Sequence, residues 1–351
     1  MAKFGFTKNT VPNLVDSFKT WALCIGSGIS FPLFPLWKEL ARKVVHRFAQ
    51  DVDLEFDDLS LKLTPDIILQ AVADKAGVMP EDFSKNLAEV LYEDFLSGLS
   101  KEDLYVVRKC MTCDPGASGV PWDRYLGIVN SILAAKGYNS LTAMVLAESV
   151  LKLKHQGRAP SSILSFNAEM LFGSLLNAIA HLKYGENKKF LDYIIEPISF
   201  HDCYRIPYYF CHGVMPVPGT RNTAASRFNA ADRLVFSENE YLQLANSSYS
   251  WQSSAFISTL SSHTVIFVGL SFADPNIRRW LAWIQKEKQQ SIQRKTKKVC
   301  DSTSHYWIEK KPASTVQMRM LESSVSHLGI RIIWIDDWSE VGEVLEKGIV
   351  I

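Results

Sequence analysis

The sequence predicts an α/β fold in which helices cover both faces of an open parallel sheet, with a long helical insertion in one connection. Two observations predict it. Short β-rich runs are nearly continuous in apolar residues, as expected for strands buried on both faces. Helical patterns lie between most of these runs. The runs expected to form strands are 21–25, 162–166, 207–211, 233–236, 263–268, 305–309 and 330–335.

One long segment departs from this alternation. Residues 51–158 show helical periodicity, for example Tyr125 and Val129 one turn apart, and almost no strand pattern. The segment is far longer than an ordinary crossover connection. We therefore expect a sheet domain made of 1–50 and 159–351, and a helical insertion domain at 51–158. The insertion has more apolar stripes than one sheet face covers, so we also expect contact with another subunit in a homo-oligomer.

Composition excludes several classes of protein. The 351 residues are 47% apolar and 21% charged, close to the average for soluble globular proteins. The 38 basic and 37 acidic residues give a net charge of +1, which argues against nucleic-acid binding by global charge. No apolar run approaches the ~18 residues of a membrane span, and the first residues lack a signal-peptide pattern. We expect a cytoplasmic protein with its six cysteines reduced.

A glycine-rich turn follows the first predicted strand. Strand 21–25 runs directly into Gly-Ser-Gly-Ile-Ser at 26–30. Glycines let a backbone approach a phosphate closely, and the N–H groups of such a turn favour an anion. The same pattern is also typical of a plain tight turn, and the third glycine of a dinucleotide fingerprint is missing because position 31 is Phe. Both interpretations stay open.

Polar residues stand at the ends of two further strands. Asn167 and Glu169 follow strand 162–166, and His212 follows strand 207–211. Ligands of open α/β sheets bind at the carboxyl ends of strands. Asn167 either contacts a ligand or caps the next helix. His212 is either a general base, since histidine exchanges its proton near neutral pH, or a structural histidine.

The strand at 263–268 has a comparable ending. Gly269 permits close backbone approach, and Ser271 offers a hydroxyl group. Asp274 stands before Pro275, a pair typical of a helix cap followed by proline in the first turn. We expect Asp274 to cap that helix.

Taken together, these segments resemble the sirtuin superfamily, and more closely the zinc-less, sirtuin-like NAD hydrolases of bacterial anti-phage defence. The resemblance extends over roughly 15–50 and 160–350. It implies a Rossmann-like sheet that binds NAD. It depends on four segments in chain order, which are GSGIS at 26–30, SFNAE at 165–169, CHG at 211–213 and VGLSFADPNI at 268–277.

The resemblance also implies roles for individual residues. Asn167 would hold the water or the ribose hydroxyls at the reacting carbon, and His212 would be the general base. The residues implied to bind NAD are Gly26, Ser27 and Gly28 at the diphosphate, Ser30 at the nicotinamide ribose, Glu169 in the same site, and Gly269 and Ser271 at the adenosine end.

Two departures from the family pattern limit what is carried over. Classical deacylase sirtuins bind zinc through two close cysteine pairs, whereas only Cys110 and Cys113 are closely paired here, so we expect no zinc. The defence family usually reads Asn-Tyr-Asp where this chain has Asn-Ala-Glu at 167–169.

The implied function is an NAD glycohydrolase that takes NAD as its substrate and releases nicotinamide and ADP-ribose. The resemblance further implies an abortive-infection effector, activated through assembly or through a sensor- or ATPase-type partner encoded nearby. Two alternatives stay open. One is an NAD-dependent protein deacylase or ADP-ribosyltransferase, and the other is a non-catalytic regulatory module that binds NAD or ADP-ribose.

Overall fold

One parallel sheet organises the chain. The computed structural model describes residues 5–14, 20–50, 56–77, 80–112, 119–186, 189–195, 204–220, 234–246, 250–296 and 304–349. Within these ranges, eight strands pair in parallel in the order β1-β8-β7-β6-β2-β3-β5-β4. The strands are β1 Phe6–Thr7, β2 Trp21–Ile25, β3 Ile163–Ser165, β4 Leu191–Ile194, β5 Ile206–Phe210, β6 Thr264–Val268, β7 His305–Lys310 and β8 Ile330–Ile335.

Helices fill the connections between the strands. They are α1 Trp37–Phe48, α2 Phe56–Ser60, α3 Pro65–Ala76, α4 Pro80–Leu96, α5 Lys101–Thr112, α6 Trp122–Ala135, α7 Thr142–His155, α8 Leu171–Tyr184, α9 Glu238–Asn246, α10 Trp251–Ser262, α11 Pro275–Thr296, α12 Thr315–Ser326 and α13 Val341–Gly348. Throughout the described ranges, no helix has the length and apolarity needed to cross a bilayer.

The structure confirms the α/β class, and six of the predicted strands form. The strand predicted at 233–236 is wrong over its described part, 234–236, which joins no sheet ladder. Its side chains are buried, and Val235 N donates to the carbonyl oxygen of His212 at 3.1 Å. Residues 234–236 are thus a buried apolar segment bonded to the loop after β5, where sequence indicated a strand. Strands β1 and β4, at the two edges, were not predicted.

The sheet is buried on both faces. Along β2, Leu23 and Ile25 point into one core, and Ala22 and Cys24 point into the other. The first core also receives α1, α8, α13 and the helices between 56 and 158. The second core receives α10, α11 and α12. The apolar stripes of the insertion are thus packed in the same core as one face of the sheet.

The strand order places four loops side by side. Strand β2 lies between β6 and β3, and β5 lies beyond β3. Because every pairing is parallel, the loops that follow β6, β2, β3 and β5 all leave the sheet on the side of the carboxyl ends of the strands. The order of the strands reverses at β2, which is where open α/β sheets form a ligand crevice.

At the amino ends of the strands, the first residue of β7, His305, is a buried histidine that makes the free energy of unfolding depend on pH. Its Nδ1 accepts the N–H of Val265 at 3.2 Å, and its Nε2 lies 3.5 Å from Lys288 Nζ. Burial, and then the charge of Lys288, hold the pKa of His305 well below its usual range. The folded protein therefore excludes a proton that the unfolded chain binds below pH ~6.5.

We expect the free energy of unfolding to fall as pH decreases below ~6.5, by up to about 1.4 kcal/mol per pH unit from this group. Urea unfolding of wild type and His305→Gln at several pH values measures it, and the variant should lose this slope. Burial also raises the pKa of Glu309 to about 7, which acts in the opposite direction, but that contribution is common to both proteins. Parallel curves for the two proteins would contradict the assignment.

Candidate functional site

The glycine turn after β2 packs against the loop after β6. Gly26 N donates to Val268 O and Gly28 N donates to Gly269 O, each at 3.0 Å. A Cβ on Gly26 would lie 2.6 Å from Gly269 O, so a larger residue has no room there. The glycines at 26, 28 and 269 let two backbones cross in contact. Within the turn at 26–30, the N–H groups of Gly26, Gly28, Ile29 and Ser30 all donate to carbonyl oxygens of the protein. The diphosphate role of Gly26, Ser27 and Gly28 stays a prediction.

Gly269 is the most constrained glycine of this crossing. Its φ is +69°, and an added Cβ would lie 2.6 Å from Ile29 N. Gly157 has a similar φ of +74° but open space around it. A left-handed alanine alone costs about 1–2 kcal/mol. We expect Gly157→Ala to lose about that free energy of unfolding and Gly269→Ala to lose clearly more, measured by urea unfolding. Equal losses would show that the crossing tolerates a side chain.

A buried polar cluster joins the loops after β2 and β3. Asn167 Nδ2 donates to Glu169 Oε1 at 2.9 Å and to Ser30 Oγ at 3.2 Å, and Ser30 Oγ donates to the same carboxylate oxygen at 2.5 Å. All three side chains are buried. The structure therefore brings together three of the residues that sequence assigned to the site.

Both carboxylate oxygens of Glu169 accept hydrogen bonds. Its Oε2 accepts the N–H of Leu171, the first residue of α8. Burial raises the pKa of Glu169, while the bonds from Ser30, Leu171 and Asn167 oppose that rise. Helix α8 begins after Glu169, and Glu169 rather than Asn167 binds its first N–H. The capping role considered for Asn167 is therefore not the one it has.

One atom of this cluster is unsatisfied. Asn167 is only 3% exposed, and its Oδ1 has no hydrogen-bond partner among the described residues. A buried polar atom without a partner costs about 1–3 kcal/mol. Because Nδ2 is held by Glu169 and Ser30, Oδ1 is the unpartnered atom of this amide, and it is itself buried.

The loop after β5, which carries His212, runs along the loop after β3. Cys211 N donates to Ser165 O at 2.8 Å, and Met215 N donates to Ala168 O at 2.7 Å, so backbone bonds fix this loop to the loop after β3. The His212 ring is 8% exposed and meets the edge of Phe166, the residue before Asn167, at 4.8 Å between ring centroids. The predicted catalytic pair thus lies on two interlocked loops.

Asp274 has a second contact that sequence reasoning missed. As predicted, its Oδ1 caps α11, accepting the N–H groups of Asn276 at 2.7 Å and Ile277 at 3.3 Å. Its other oxygen, Oδ2, lies 3.4 Å from His212 Nε2. The Asp-Pro pair signalled only the cap, since no local pattern indicates that the loops after β5 and β6 meet.

Ser271 lies at the exposed end of the β6 loop. Its hydroxyl accepts the N–H of Ala273 at 3.3 Å, within its own loop. The structure gives no contact between Ser271 and the Asn167 cluster. The adenosine-end roles of Gly269 and Ser271 stay predictions.

One cysteine of the close pair lies in the described part of the chain. Cys110 is buried with its Sγ 3.9 Å from Pro121 O, whereas Cys113 lies outside the described residues. No group of three or more His, Cys, Asp or Glu residues could hold a metal ion in the part of the chain that the structure describes.

Comparison with known families identifies the class of protein. Residues 204–333 match the SIR2-like domain, a segment that includes His212, Gly269 and Asp274. This match confirms the sirtuin-like resemblance over that segment.

The chain is also similar to a curated protein. The chain is 28% identical over 121 residues to the NAD(+) hydrolase ThsA of Enterococcus faecium. The match covers 32% of this chain and 25% of ThsA, so the matched part spans about a quarter of the relative's length.

Proposed function

We propose that this chain is an NAD glycohydrolase that converts NAD and water to nicotinamide and ADP-ribose. The observation that best supports it is the buried amide of Asn167, whose Oδ1 has no hydrogen-bond partner among the described residues and which follows β3, the strand beside β2. The relative named as an NAD(+) hydrolase supports the same chemistry.

The reaction breaks the bond between the ribose carbon and the nicotinamide nitrogen. Both bonding electrons leave with nicotinamide, whose ring becomes neutral, so no strong acid is needed. The ribose carbon develops oxocarbenium character, as in glycoside hydrolysis, and a water oxygen then bonds to it. The site must orient the ribose, place the water and accept one proton.

The described residues divide these tasks. Glu169 and Ser30 hold Asn167 Nδ2, so the Oδ1 atom of Asn167 is oriented to accept a hydrogen bond from the water or a ribose hydroxyl. His212 accepts the proton that the attacking water releases. Phe166 and its neighbours exclude bulk water from the ring of His212.

Product analysis distinguishes this proposal from its alternatives. Incubation with NAD alone should release nicotinamide and free ADP-ribose in equal amounts. Nicotinamide release that requires an acetyl-lysine peptide would indicate a deacylase, and ADP-ribose attached to protein would indicate a transferase. NAD binding without nicotinamide release would indicate a regulatory module.

The wider role is also a proposal. We infer an abortive-infection effector that depletes cellular NAD when a partner of sensor or ATPase type, or assembly of the chain, activates it. Cells expressing wild type should lose NAD after phage infection, and cells expressing Asn167→Ala should not. Equal NAD levels in both during infection would contradict this role.

Assembly into a homo-oligomer belongs to the same proposal. Light scattering at micromolar concentration should give a mass of at least twice the 39.6 kDa of one chain. A monomer under these conditions, with and without NAD, would contradict assembly.

A further inference from the structure

His212 and Asp274 are in contact, although the sequence predicted only the role of a helix cap for Asp274. His212 Nε2 and Asp274 Oδ2 lie 3.4 Å apart. Both atoms are buried, and neither has a hydrogen-bond partner among the described residues. A buried ring nitrogen and a buried carboxylate oxygen, each otherwise unpaired, face one another at nearly hydrogen-bond distance.

The surroundings keep this carboxylate in place. Asp274 Oδ1 is held by two N–H groups at the start of α11, which leaves only Oδ2 to turn toward the ring. Tyr241 meets the ring edge-on at 5.4 Å between centroids, and Asn276 Nδ2 donates to Tyr241 O at 3.4 Å. The residues at the start of α11 therefore also hold the groups that contact the ring of His212.

We propose that Asp274 is a positioning residue for His212. Its Oδ2 accepts the Nε2–H of the neutral ring, which leaves the lone pair on Nδ1 as the base. The proton of the attacking water moves to Nδ1, the Nε2 proton stays on the ring, and the carboxylate stabilises the resulting cation. The catalytic part of this assignment depends on the proposed NAD hydrolysis, whereas the tautomer does not.

The chain offers variants that separate capping from positioning. Asparagine caps helices as well as aspartate does, so Asp274→Asn keeps the bonds to Asn276 and Ile277. It replaces the acceptor that faces Nε2 with an NH₂ donor, which favours the opposite tautomer of the ring. Asp274→Ser keeps a cap and removes the second group. Asp337→Asn is the matched control, because Asp337 also caps a turn, accepting Ser339 N at 2.9 Å.

Two readouts on these variants test the proposal. The first is ¹⁵N NMR of histidine-labelled full-length chain at pH 8, with His212→Gln to assign the signal. We expect the Nε2–H tautomer in wild type and in Asp337→Asn, and a shift toward Nδ1–H in Asp274→Asn. The same tautomer in wild type and Asp274→Asn would overturn the pairing, whether or not the chain cleaves NAD.

The second readout is the rate of nicotinamide release with the melting temperature measured in parallel. We expect kcat to fall by about 100-fold or more in Asp274→Asn and Asp274→Ser, with KM nearly unchanged and both variants still folded at the assay temperature. Full kcat in both folded variants would overturn the positioning role. If wild type releases no nicotinamide but the tautomer depends on Asp274, the proposed hydrolysis fails and the pairing stands.

Discussion

Asn167→Ala is expected to lower the rate of nicotinamide release from NAD by about 10²- to 10³-fold, the usual cost of removing a preorganised polar group from a reacting centre. The amide is held by Glu169 and Ser30, so its Oδ1 has a fixed direction. Alanine removes the atom that orients the water or the ribose. The measurement is the initial rate of nicotinamide release, with NAD binding measured by calorimetry to show that the site persists.

Asn177→Ala is the matched control for this variant. Asn177 is also buried, its Nδ2 donates to Tyr193 at 3.0 Å, and its Oδ1 likewise has no partner among the described residues. It lies within α8, outside the loops that follow the strands. We expect Asn177→Ala to lose some stability and keep the wild-type rate. If Asn167→Ala were as active as Asn177→Ala, Asn167 would have no part in the chemistry.

His212→Ala is expected to lower the same rate by about 10²- to 10⁴-fold, as is typical for removal of a general base. The ring lies beside Phe166 and faces Asp274, so alanine removes the proton acceptor and leaves the backbone bonds of the loop intact. The loss should appear in kcat, because the proton moves only during attack by water. Initial rates over a range of NAD concentrations separate kcat from KM.

His305→Ala serves as the control for His212→Ala. It also removes a buried histidine, but His305 lies at the amino end of β7, whereas His212 lies beyond the carboxyl end of β5. We expect a lower melting temperature and an unchanged kcat. A wild-type kcat in the folded His212→Ala variant would exclude His212 as the base.

The sequence was most informative about the fold where strands are long and apolar. Strands β2, β6 and β8 are buried along most of their length, and their apolar runs, WALCI, TVIFV and IRIIWI, are typical of a covered parallel sheet. Strand β4 was missed because it is a half-buried edge strand whose middle residues include Asp192. Strand β1 is two residues long, too short for any pattern.

The sequence predicted the position of a site residue only where that residue follows a strand. Asn167 and His212 follow strands directly, so their position at one edge of the sheet follows from parallel topology. The pairing of Asp274 with His212 depends on how two loops cross the crevice, which no spacing in the chain encodes. The same holds for Gly26 and Gly28, whose contact with Gly269 is a tertiary packing requirement.

Hydrolysis of NAD at the Asn167 site is the proposal on which the assigned residue roles depend. The most direct measurement is a single-turnover assay with the purified protein in excess over NAD, so that slow hydrolysis by a resting enzyme is also detected. We predict equal amounts of nicotinamide and free ADP-ribose from wild type and from Asn177→Ala, and almost none from Asn167→Ala. Intact NAD after prolonged incubation with wild type, with binding of NAD demonstrated in the same sample, would contradict the account.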